Sequence, residues 1–254
     1  MNNTKRYIVT LTLFLTLHIK SIIIESDTLD VVLKHADKDT IVVFDIDDTI
    51  AQLPEDIGTS KWLSYMTKQL QTKGYSFEEA LNIMIPSCCV IQLMTELKMV
   101  GSSFQIINTL QQNNIKTMAL TNRSISIEKR TIEQLKNLGI DFSANCVCDD
   151  ELALNLKHRG KFSHGIIFTA NNTKGEMLFH FLDITKQHFK KVVFVDDKLK
   201  HVKEVEKEAQ KQNIEFIGIR FSQLDDKVQS FDPEKARKQF NEFKIMLGWN
   251  PIKS

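Results

Sequence analysis

Asp45, Asp47, Asp48 and Thr49 crowd into five positions directly after the apolar run IVVF. A second acidic pair, Asp196–Asp197, ends the run KVVFV, and Thr121, Asn122 and Arg123 end a third run, TMAL. Two like charges about 4 Å apart repel by roughly 4 kcal/mol at an effective dielectric near 20. Carboxylates converging from separate strands therefore need a cation. An all-oxygen donor set, with no histidine or cysteine beside it, selects a hard ion, and magnesium is the natural choice. A calcium loop is the rival pattern, but its sixth position is Ile50 rather than glycine and its twelfth is Asp56 rather than glutamate.

Lys174 supplies a positive group. It lies in Thr173–Lys174–Gly175–Glu176, which has the spacing of a capping box that opens a helix. A lysine in a first turn opposes the helix dipole. It is better explained by a negative group that it faces.

Elements that place these residues follow from the pattern of apolar positions. Residues 41–44, 117–120, 165–169, 191–195 and 216–219 read as short strands, apolar throughout, as in a parallel sheet covered on both faces. Helices are expected over 102–112, 126–138 and 199–210, the second stopping at Gly139. The expected architecture is an α/β, Rossmann-like, doubly wound parallel sheet. Residues 53–100 carry only helical pattern and read as a small helical cap inserted after the first strand, with a capping box at Ser76–Glu79. Such an insertion sits over the carboxyl edge of the sheet, where ligands bind in open α/β folds. The core is thus expected over 26–52 and 101–225, with a helical tail over 226–254.

The 254 residues carry a formal charge of +1, 26% charged residues and no basic block, which argues against a dedicated nucleic-acid binder. Lys5 and Arg6 precede an apolar run of about a dozen residues, the layout of a secretory signal. Residues 1–25 are read as a signal peptide or short anchor, implying a periplasmic or secreted protein whose membrane association runs only through this segment. A strand or helix of a cytoplasmic domain is the other reading. The four cysteines, Cys88–Cys89 and Cys146–Cys148, lack zinc-site spacing and read as core or surface thiols, with disulfides an option on export.

FDIDDT, then ALTNR, then a lysine opening a helix, then VFVDD: in this order and strand context the motifs resemble those of the haloacid dehalogenase-like superfamily. They look closest to a poorly characterised bacterial branch, and are similar to those of exported nonspecific acid phosphatases. The resemblance implies a magnesium-dependent phosphatase acting on a small phosphorylated substrate. Asp45 would be the nucleophile and Asp47 the general acid and base. Thr121 and Lys174 would hold the transferring group. Asp45, the Asp47 carbonyl and Asp196 would hold magnesium, helped by Asp197. Asn122 and Arg123 would bind substrate or shape the loop. The sequence after VFVDD reads KLKH, without a further downstream aspartate. A phosphomutase needs the same residues, and a non-catalytic binding scaffold is the alternative of another class, for which the tail, with Phe240, Phe243 and Trp249, offers a docking stripe.

Overall fold

The computed structural model describes residues 20–248. Its centre is an eight-stranded sheet. Strands β1 (Ser21–Ser26), β2 (Thr40–Phe44), β5 (Lys116–Thr121), β8 (Ile166–Phe168), β9 (Lys191–Asp196) and β10 (Glu215–Phe221) run parallel. An antiparallel extension, β6 (Leu152–Asn155) and β7 (Arg159–Ser163), completes one edge, giving the order β1-β10-β9-β2-β5-β8-β7-β6. All five expected strands are present, and the fold is the α/β Rossmann-like one.

Alternation along the strands divides the core into two layers. Val42 and Phe44 of β2 pack towards α3 (Ser103–Gln112) and α4 (Glu128–Asn137), with Ile106, Ile107, Leu110 and Leu135. Ile41 and Val43 face α5 (Lys174–Ile184) and α6 (Leu199–Lys211), with Met177, Leu178, Phe181, Val202 and Val205. A strand buried on both faces cannot slip by one residue without exchanging its two layers, so the ends of β2, β5 and β9 are held in place. The buried stripe of α6 is Val202, Val205 and Ala209, and Leu199 at its start is exposed. Gly139 takes a positive φ of 78° just past α4, as the helix stop requires.

Two boundaries differ from expectation. Residues 21–25, assigned by sequence to the N-terminal leader, form with Ser26 the strand β1, which pairs in parallel with β10 from Ser21–Phe216 to Ser26–Phe221. Three consecutive isoleucines beside an apolar run read as its continuation, although they are a strand of the sheet. The rest of that leader, residues 1–19, lies outside the described residues. The insertion is also clamped at its base by an antiparallel two-residue ladder, β3 (Ala51–Gln52) with β4 (Lys98–Met99), too short to leave any periodicity.

The insertion itself is two helices, α1 (Ser60–Gln71) and α2 (Phe77–Met94). Ser76 and Glu79 form both halves of the expected capping box. Among the described residues α2 alone is long and apolar enough to cross a membrane, yet it packs as the insertion's core helix. The tail carries a short helix, α7 (Asp225–Gln229), and then α8 (Pro233–Leu247). α8 lies on the insertion rather than on the sheet: Trp62 and Phe240 meet edge to face at 5.1 Å, joined by Met84, Ile91 and Ala236. Trp249 of the expected docking stripe lies outside the described residues. The four cysteines are free thiols.

Gly175, the second residue of α5, sits against α6. A Cβ there would stand 2.2 Å from the carbonyl oxygen of Glu204. Gly175→Ala should therefore lower the unfolding free energy by about 2 kcal/mol, read as a lower urea midpoint at unchanged slope.

Candidate active site

The carboxyl edge of the sheet gathers the polar residues. Asp45 follows β2, and its N–H donates to the Val195 carbonyl at 2.9 Å, extending the ladder by one residue. Asp196 ends β9 and Thr121 ends β5. Lys174 opens α5, capped by Thr173, whose hydroxyl oxygen accepts from the Glu176 N–H. Only that half of the expected capping box forms, because the Glu176 carboxylate accepts from the Thr173 hydroxyl instead of from the backbone.

The Lys174 side chain turns into the sheet edge. Its Nζ lies 2.5 Å from Asp45 Oδ1 and 2.7 Å from Asp196 Oδ2, and all three residues are buried. Burial opposes the lysine's charge, but Asp196 and Asp45 outweigh it and hold Lys174 above the ordinary lysine range. Burial pushes Asp45 up to about 7 against the pull of Lys174. So a basic residue with no helical reason to be there is explained by the two carboxylates it bridges.

Asp47 has a different environment. Arg123 forks onto it, Nε to Oδ2 at 2.9 Å and Nη2 to Oδ1 at 2.8 Å. Burial raises Asp47, but the guanidinium prevails and holds it below the usual carboxylate range. Arg123 is 4% exposed and its Nη1 donates to Gln134 Oε1 at 2.8 Å. Its donors are thus committed inside the protein, and of the two roles open to it from sequence the geometry serves loop shaping. Thr121 Oγ1 accepts from the Arg123 N–H at 3.1 Å, which leaves its own O–H to donate. Asn122 is exposed at the rim, where its Oδ1 accepts from Thr169 Oγ1 at 2.6 Å and its Nδ2 lies 3.5 Å from His201 Nε2.

Asp45, Asp196 and Asp197 each bring a carboxylate oxygen to within 4.8 Å of the other two. Asp197 Oδ1 is buried without a hydrogen-bond partner. Burial pushes Asp197 up to about 8, against the pull of Lys198 and with Asp45 and Asp196 adding to the rise. An orphaned buried carboxylate oxygen within an all-oxygen set fits a hard divalent cation. The other acidic group, Glu128 with Glu151 and His164, does not: the Lys161 ammonium already lies 2.8 Å from both glutamates.

Several residues that shape the site went unassigned from sequence. Thr49 Oγ1 accepts from the Asp197 N–H at 3.1 Å and ties the β2 loop to the β9 loop. Asp48 adopts φ 61°, a left-handed conformation that aspartate tolerates, as the chain doubles back onto the Ile46 carbonyl. Lys198 donates through its backbone to Asp196 Oδ1 at 2.8 Å and through Nζ to Ser60 Oγ of the insertion at 3.1 Å. Its place directly after the acidic pair was the available signal. Gln134 carried none, being one polar residue on an amphipathic helix.

The chain belongs to the family described as "Protein of unknown function (DUF2608)", which matches residues 25–252. It is 25% identical over 200 residues to a protein of Chlamydia trachomatis serovar D named "Putative outer membrane protein", covering 78% of this chain and 75% of the relative. A Chlamydia pneumoniae protein of the same description is 22% identical over 255 residues, covering 94% and 92%. Among solved structures it is similar to a haloacid dehalogenase-like hydrolase of Burkholderia xenovorans LB400, so titled with the qualifier "putative". That match has 15% identity and a TM-score of 0.45 and covers 79% of this chain and 90% of the other. A HAD-superfamily hydrolase of Ehrlichia chaffeensis matches with 12% identity and a TM-score of 0.39, over 82% and 97%.

In metal-free protein the folded state keeps protons on Asp45 and Asp197 that the unfolded chain releases near pH 4. Folding therefore binds protons between about pH 4 and the raised values, and stability falls as pH rises across that interval. The melting temperature in EDTA should decline from about pH 5 to about pH 8. Magnesium should restore it most at the upper end, and Asp197→Asn should flatten both responses. A melting temperature in EDTA that climbs over the interval would count against this arrangement.

Proposed function

We propose that this family member is a magnesium-dependent phosphomonoester hydrolase that acts on a small phosphorylated substrate through an aspartyl-phosphate. The observation that carries this reading is the buried Lys174 bridge between Asp45 and Asp196, beside the orphaned oxygen of Asp197. A lysine, a carboxylate nucleophile and a hard-cation donor set, all at one sheet edge, suit an incoming phosphoryl dianion.

Asp45 attacks phosphorus through a carboxylate oxygen. The new O–P bond forms as the bond to the leaving oxygen breaks. Lys174 stays charged and balances negative charge on the phosphoryl oxygens and on Asp45, while the Thr121 hydroxyl donates to one of those oxygens. A magnesium ion, held by Asp45, Asp196 and Asp197 with the Asp47 carbonyl, would supply further charge neutralisation there. In the second half Asp47 takes a proton from water, which attacks phosphorus. The Asp45–phosphorus bond breaks, inorganic phosphate leaves, and Asp47 gives its proton up to solvent before the next turnover. Arg123 keeps Asp47 ionised, the form this step needs. A weakly basic leaving group, such as an aryl oxide, departs in the first half without a proton.

Export is the location this reading favours, supported by the names of the chlamydial relatives and by the basic-then-apolar start of the sequence.

The test is hydrolysis of p-nitrophenyl phosphate by the purified protein, with magnesium and with EDTA. Asp45→Asn should lower turnover by on the order of a thousandfold or more while the fold is retained. EDTA should do the same to the unaltered protein, reversibly. A folded, magnesium-loaded protein that leaves aryl, alkyl and acyl phosphates intact would overturn the reading.

A further inference from the structure

Asp47 is linked to the insertion through two buried side chains, Arg123 and Gln134. Gln134 of α4 donates from Nε2 to the carbonyl oxygens of Gln92 at 2.8 Å and Thr95 at 2.5 Å. These carbonyls belong to the last turn and C-cap of α2, where no intrahelical donor reaches them. The other end of the same amide, Oε1, accepts from Arg123 Nη1 at 2.8 Å. Arg123 in turn forks onto both oxygens of Asp47. Gln134 is 1% exposed and Arg123 4%, so solvent offers neither side chain an alternative partner.

An amide suits this place chemically. It is the side chain that gives two donors on one side and an acceptor on the other. A glutamate would keep an acceptor for Arg123 but turn an oxygen towards two carbonyls. A hydrophobic residue would leave buried donors and acceptors unmet on both sides. The residue is thus matched at once to the end of the insertion helix and to the guanidinium that aims Asp47.

We propose that Gln134 is a positioning residue: it transmits the docked position of the insertion helix to Asp47 through Arg123, so that Asp47 is aligned for water attack only when α2 covers the site. The proposal rests on the phosphatase reading. Its effect falls on the second half of the reaction, since an aryl oxide leaves without help from Asp47, and water cannot be activated without it. Lys174 and Thr121 reach the phosphoryl group by other routes, so its capture is left intact.

Rapid-mixing kinetics on p-nitrophenyl phosphate with magnesium separate the two halves. Gln134→Met and Gln134→Glu should each lower kcat by on the order of tenfold. KM should fall in parallel, kcat/KM should barely change, and a burst of p-nitrophenol, absent from the unaltered protein, should precede the steady state. Inhibition by inorganic phosphate should stay as it was. Arg130→Ala is the control. Arg130 also ties α4 to this end of the insertion, through the Leu93 carbonyl and Glu96, but leaves the partners of Arg123 in place. This variant should show no burst.

Thermal melting establishes that each variant is folded. If Gln134→Met does not fold, Gln134→Glu carries the test, because it retains the acceptor for Arg123. Parallel losses of kcat and kcat/KM without a burst would overturn the proposal, as would Gln134→Glu behaving like the unaltered protein. An active parent with either result removes this proposal alone. An inactive parent removes the phosphatase reading and the proposal with it.

Discussion

A buried ammonium between two buried carboxylates is the constraint on which the rest of the molecule turns. Lys174 can lie within 3 Å of Asp45 and Asp196 only if α5 starts level with the ends of β2 and β9. That level is set by the two-layer core, which fixes each strand in register, and by Gly175, which lets α5 approach the backbone of α6. Removing such charges from water is expensive, and their mutual attraction offsets that only when all three are held in place. Packing and electrostatics here are therefore one requirement seen from two sides.

The same edge separates two carboxylates by environment. Asp45 shares a lysine with Asp196 and is pushed up by burial, whereas Asp47, two residues on, is forked by an arginine and held down. Neighbours in sequence thus arrive in opposite electrostatic states. In the proposed reaction the first would bond to phosphorus and the second would receive a proton. Asp45 still continues the β2 ladder onto Val195, whereas Asp47 lies beyond the strand in the loop that turns back at Asp48.

Much of this was legible in the chain itself. Continuous apolar strands ending in polar residues announced a parallel sheet with those residues gathered at its carboxyl edge, and Lys174 was identifiable because it sat where a helix gains nothing from it. Less visible were contacts between elements distant in sequence. Arg123 looked available for substrate until its fork to Asp47 placed it inside the protein. Gln134 gave no local signal, because its role depends on where the end of α2 lies. The strands β6 and β7 were lost among charged and polar residues, and β1 was hidden by the apolar run before it.

The position of β1 bears on how the chain could be processed. It forms the edge of the sheet and covers the open side of β10 from Phe216 to Phe221. A protease that trimmed the chain beyond Ser21 would strip that cover and leave β10 with an unpaired row of backbone groups, a template for association with other chains. Trimming compatible with this fold must therefore stop ahead of β1. Because β1 runs parallel to its neighbours, its first residue lies at the amino edge of the sheet, across the molecule from the aspartates. Anything joined to the protein ahead of Lys20 is attached on that far side, so a tether there leaves the edge that carries the aspartates facing outward.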